Sequence, residues 1–168
     1  NNSNAGAIRR ARDAKIRTAH LSTETHPEPD ALDRAIAAEI TNAKVDLVLL
    51  AGYMKRLGPI TLARFQRRIV NTHPALLPKF GGAGFFGRRV HEAVLAAGET
   101  KTGATVHWVE GDYDSGPVIA QVVVPISPKE TAASLEAKVK VAERELLIDT
   151  LADLADQSRS THTTAGAI

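Results

Sequence analysis

The segment Asn71-Thr72-His73-Pro74 closes a short apolar run, Ile69-Val70, and an aspartate, Asp114, follows in the turn Asp112-Tyr113-Asp114-Ser115-Gly116-Pro117. Residues two apart in a strand point to the same face, so Asn71 and His73 would project side by side. Pro74 cannot donate to a sheet ladder, which puts the strand's end there. An amide, an imidazole and a carboxylate would then gather where open α/β sheets bind ligands. An amide donor can hold an oxyanion, and losing one such donor typically costs about 2.7–4 kcal/mol of transition-state stabilisation. An imidazole with an ordinary pKa near ~6.5 both takes and gives protons at neutral pH. A carboxylate beside it favours imidazolium and fixes the ring. The set suits acyl transfer between two bound substrates through a tetrahedral intermediate. The alternative stays open that Asn71 caps a turn and His73 is a packed core histidine.

The elements that must position these residues follow from periodicity. Ala7 to Lys15 reads as a short basic helix, and Thr18-Ala19-His20-Leu21 as a weak strand. Pro27 and Pro29 mark a loop. Leu32, Ile36 and Ile40 fall at helical spacing in a helix over 31–43. Val45 to Ala51 is almost wholly apolar, as a strand buried on both faces requires. Pro59 suits the first turn of a helix to about Arg67. A glycine-rich loop over 76–87 precedes a helix from Arg88 to Ala97, stopped by Gly98. Ala104 to Val109 and Val118 to Val124 read as strands flanking the aspartate turn, and Thr131 to Ala155 as the longest helix, with Leu135, Val139, Ala142 and Leu146 on one stripe. Alternating strands and helices imply an α/β fold with a mostly parallel twisted sheet and flanking helices. The expected organisation is one domain over residues 1–155 and a flexible tail over 156–168.

Composition narrows the function classes. The chain has 168 residues, of which 43% are hydrophobic and only 4% aromatic, so Val, Ile, Leu and Ala must fill the core. A formal net charge of +2 is too small to imply a nucleic-acid partner, though it suits an anionic small molecule. The absence of cysteine excludes a disulfide framework and fits a cytoplasmic location. No apolar stretch approaches the roughly 20 residues that a membrane span needs. His20, His26 and His162 show no metal-ligand spacing, and no metal is expected.

Val70-Asn71-Thr72-His73-Pro74-Ala75-Leu76-Leu77-Pro78-Lys79-Phe80 resembles the signature segment of the phosphoribosylglycinamide formyltransferases, folate-dependent enzymes of purine synthesis. The resemblance continues through Leu50-Ala51-Gly52-Tyr53-Met54, Gly103-Ala104-Thr105-Val106-His107 and Tyr113-Asp114-Ser115-Gly116-Pro117-Val118-Ile119-Ala120-Gln121. It implies a Rossmann-like formyltransferase fold and transfer of the formyl group of 10-formyltetrahydrofolate to the amine of glycinamide ribonucleotide. Asn71 would then bind the formyl oxygen, His73 would stabilise the oxyanion and move protons, and Asp114 would pair with His73 or order a relaying water. The resemblance puts the folate against Tyr53, Met54, Lys55, Arg56 and Leu57 and against the loop that holds Glu110 and Gly111. It brings Pro74, Glu143 and Lys140 to the nucleotide substrate, and it allows a homodimer.

Members of that family begin with a strand and a glycine-rich turn that holds the substrate phosphate. Residues 1–6 do not match that segment, so the chain is read as N-terminally incomplete, and these residues alone are expected to be poorly stable and inactive. Formyltetrahydrofolate deformylase is the nearest rival, because it would use the same three residues with water as acceptor. Methionyl-tRNA formyltransferase also shares them, and an inactive ligand-binding relative is a third reading. By composition alone, Lys140 and Glu143 read as an ordinary exposed helix pair; the resemblance lifts Glu143 above that and Lys140 only slightly. His107 is read as structural; His91, on the helix after the glycine loop, could approach the site, but the reading favoured is that it does not.

Overall fold

The structure, a computed structural model, describes residues 2–164, with side chains through Gln157. Residues 165–168 of the expected tail lie outside the described residues, as do the side chains from 158 onward, His162 among them. The described chain divides into two compact units: residues 2–46 with 57–65, and residues 47–56 with 66–164.

The first unit holds three helices, α1 (Gly6–Asp13), α2 (Ala31–Asn42) and α3 (Pro59–Arg64). α1 buries none of its residues, as its basic sequence foretells. α2 packs against α3. The join is polar at its centre, where Asp33 accepts from the N–H groups of Ile60 (2.7 Å) and Thr61 (3.0 Å) and from the Thr61 hydroxyl (2.5 Å). A side chain of one helix thereby satisfies orphan amides at the start of another. The weak strand expected at Thr18 to Leu21 does not form, and no described strand pairs with that segment.

The second unit holds the sheet, ordered β1 (Val48–Leu50), β2 (Ile69–His73), β3 (Lys101–Trp108) and β4 (Val118–Pro125), together with α4 (Arg88–Ala96) and α5 (Ala132–Thr164). β1 and β2 are parallel, but β2–β3 and β3–β4 are antiparallel. The sheet is thus mixed rather than mostly parallel. The turn joining β3 to β4 is too short for a crossover, and such a connection forces antiparallel neighbours. β1 is shorter than expected and only half-buried, because it stands at the end of the described strand order. α5 packs on β3, β4 and α4. The expected stripe holds: Leu135 and Val139 are fully buried with Val90, Val94, Ala75 and Ala104, and Ala142 and Leu146 pack against them. α5 runs past Ala155 to Thr164, consistent with the absence of Gly and Pro before Gly166. None of the described helices is long and apolar enough to cross a membrane.

Candidate active site

β2 is short because Pro74 ends it, and Asn71 and His73 leave it on one face, as the period of two requires. The antiparallel register sets His107 of β3 opposite Asn71, and Thr105 opposite His73. The aspartate turn follows β3 directly. It folds back because the N–H of Trp108 donates to the Pro117 carbonyl at 2.9 Å. Gly116 permits the approach, since a Cβ there would stand 1.9 Å from the Trp108 carbonyl oxygen. The turn carries Asp114 to the imidazole: Oδ2 lies 3.3 Å from His73 Nδ1 and accepts from the Gly82 N–H at 2.9 Å. The other ring nitrogen, Nε2, donates to the Phe80 carbonyl at 2.7 Å. Asn71, His73 and Asp114 all line one cavity of about 710 Å³.

His107, read from the sequence as structural, belongs to this cluster. Its Nδ1–H donates to the Trp108 carbonyl at 2.8 Å, and its Nε2 lies 3.2 Å from the Asn71 amide nitrogen and 3.5 Å from Asp114 Oδ1. Neutral, Nε2 accepts from Asn71; protonated, it donates to Asp114. The β3–β4 register shifts at this residue, and such irregularities re-aim side chains. The available signal was the alternation Thr105-x-His107, which mirrors Asn71-x-His73. Only the strand register, which no local pattern encodes, shows that the two pairs face each other.

Burial dominates at His73, which is 3% exposed, and pushes its pKa below the ordinary value. Asp114, the Phe80 carbonyl and Glu143 oppose that without overcoming it. That direction favours the neutral ring; with Nε2–H on the Phe80 carbonyl, Nδ1 then faces the carboxylate without a proton of its own. At Asp114 burial is again the largest single influence and pushes the pKa up. The contact with His107, the positive charge that His73 carries once protonated and the Gly82 amide together outweigh it and hold the carboxyl below its ordinary value.

The remaining expected residues divide. Tyr53, Met54, Pro74, Lys140 and Glu143 line the cavity, whereas Lys55, Arg56, Leu57, Glu110 and Gly111 do not. Leu57 is a buried core residue. Arg56 ties the two expected folate loops together, donating to the Gly111 carbonyl at 3.1 Å and pairing with Asp112 at 2.9 Å. Lys140 pairs with Glu136 at 2.6 Å, and Glu136 also holds Arg88 at 2.9 Å. His91 does reach the cavity wall. It is 1% exposed, its Nδ1 has no hydrogen-bond partner among the described residues, and burial lowers its pKa.

The formyl transferase family model matches residues 1–151. This chain belongs to that family. The phosphoribosylglycinamide formyltransferase of Mycobacterium tuberculosis is 43% identical over 145 residues, which are 86% of this chain and 65% of that protein. The chloroplastic enzyme of the same name from Vigna unguiculata is 46% identical over 115 residues, 68% of this chain and 36% of that protein. The crystal structure of phosphoribosylglycinamide formyltransferase from Bacillus halodurans superposes with a TM-score of 0.84 at 32% identity, covering 94% of this chain and 79% of that one. The chain thus spans 65% and 36% of the length of those two sequence relatives. Within the family the fold is the Rossmann-like one expected, with a mixed sheet.

Proposed function

We propose that this chain carries the catalytic residues of a phosphoribosylglycinamide formyltransferase, moving a formyl group from 10-formyltetrahydrofolate to the amine of glycinamide ribonucleotide. The observation that carries the reading is the joint presence of Asn71, His73 and Asp114 on one cavity, with the His73–Asp114 contact at 3.3 Å. Family membership and the relatives' shared name support it.

The amine nitrogen attacks the formyl carbon, and the carbonyl π electrons move onto oxygen. Asn71 donates to that oxygen as it becomes an oxyanion. The nitrogen, now cationic, loses a proton to the bare Nδ1 of His73, directly or through a water on Asp114. The imidazolium then pairs with Asp114 and places positive charge beside the oxyanion. Collapse reforms the carbonyl and breaks the bond to the folate nitrogen, which takes the proton. No covalent enzyme intermediate is needed. Holding both substrates in one cavity can itself supply up to ~7–11 kcal/mol of the barrier. Met54 and Tyr53 offer an apolar wall to a pterin, and Lys140 with Glu143 offer a cation and a carboxylate to the ribonucleotide.

The test is to incubate the full-length protein with both substrates and follow each product. Formylated nucleotide supports the transferase. Formate alone would mean a hydrolase and would overturn this reading, and neither product would mean a binding protein.

A further inference from the structure

The chain leaves β2 at His73 and returns to the same imidazole at Phe80, whose carbonyl accepts from Nε2. The path between is held by a hydroxyl and an amide from the two antiparallel strands. Thr105 is fully buried and opposite His73. Its Oγ1 donates to the Ala75 carbonyl at 2.6 Å and accepts from the Leu77 N–H at 3.1 Å and from Gln121 Nε2 at 2.9 Å. A hydroxyl has one proton and two lone pairs, so this oxygen is saturated. Gln121 Nε2 gives its second proton to the Leu77 carbonyl at 3.0 Å. Both its protons meet acceptors, which leaves the amide one orientation.

We infer that Gln121 is a positioning residue for His73: by holding Leu77 and the Thr105 hydroxyl, it sets the course of residues 74–80 and therefore the seat of the Phe80 carbonyl on the imidazole. The inference rests on the catalytic reading of His73. Gln121 itself is exposed on β4 and does not line the cavity, so it acts at a distance and can be replaced without opening the core. The charged and titratable groups that face His73 are Asp114 from the turn, His107 from β3, Glu143 from α5 and His91 from α4. The Phe80 carbonyl adds to Asp114 and Glu143 in favouring protonation against burial. A loosened loop leaves burial less opposed, and the imidazole then titrates at lower pH.

The experiment uses Gln121→Leu in the full-length protein, with Gln121→Ala as a second variant in which water can solvate the Leu77 carbonyl. The His73 imidazole is titrated by ¹⁵N NMR, and kcat and KM are measured on the same samples. In either folded variant the His73 midpoint moves down, kcat falls on the order of tenfold, and both KM values stay within about twofold, as expected when a reacting group is misplaced but the substrates still bind. A folded variant with the wild-type His73 titration and wild-type kcat overturns the inference. A shifted midpoint in a protein whose wild type transfers no formyl group supports the positioning role and refutes the catalytic reading instead.

Discussion

A neutral imidazole faces two acceptors in this site and has one proton for them. Nε2–H donates to the Phe80 carbonyl, and Nδ1 stands bare 3.3 Å from the Asp114 carboxylate. Taking up a second proton completes the arrangement, and under the proposed mechanism that proton comes from the attacking amine. Because burial holds the His73 pKa below its ordinary value, kcat should fall on the acid side with an apparent pKa under about 6.5. Asp114→Asn removes a charge that raises the His73 pKa, so the acid limb should move to lower pH while kcat drops by roughly 10²–10⁴. A pH–rate series on both proteins checks this, and an acid limb that stays put in the variant would contradict the pairing. Asn71→Ala should lose about 10²–10³ in kcat with little change in KM, the mark of a donor used mainly in the transition state. At this scale the sequence was informative about Asn71 and His73, because period two and a proline stop are local signals. It was not informative about His107, whose role depends on its pairing with Asn71 across an antiparallel ladder.

Elements set the distances among these residues. β2, α4 and the stripe of α5 could be read from sequence, since Pro74, Gly98 and the Leu135/Val139 spacing each act within a few residues. The direction of β3 could not, because strand polarity depends on which neighbours a segment finds. Helix α3 illustrates the same point. It has no side-chain cap of its own; its first amides are satisfied by Asp33 of α2, which is distant in sequence. Asp33→Ala would leave two amides and the Thr61 hydroxyl without that acceptor, for an expected loss of about 2–4 kcal/mol. Gly58→Ala should also destabilise, because its Cβ would fall 2.2 Å from the Asp33 carboxylate. Urea melts of both variants check the pair, and unchanged midpoints would mean that the join is not what holds α3.

Across the whole molecule, the buried titratable groups make stability depend on acid. The folded pKa of His73 lies below its ordinary value of 6.5, so the unfolded chain binds that proton more readily. Stability is therefore intact above this value and declines as pH falls from it toward the depressed folded pKa. His91, lowered by burial too, adds to the same slope. Asp114, held below its ordinary 3.8, contributes stability above that value, lost as pH falls through its folded pKa. Unfolding free energies from pH 7 to 5 should decrease, and His73→Gln should remove part of that slope. Equal slopes in the two proteins would show that the buried imidazole is not the source.

The most direct measurement is a crystal structure of the full-length protein with glycinamide ribonucleotide and a non-transferable folate analogue. The reactive carbon of the analogue is expected about 3–3.5 Å from the acceptor amine, with its oxygen within hydrogen-bond reach of Asn71 and the His73 ring beside both. An analogue bound with that carbon away from Asn71 and His73, while the cavity stays as it is here, would contradict the assignment.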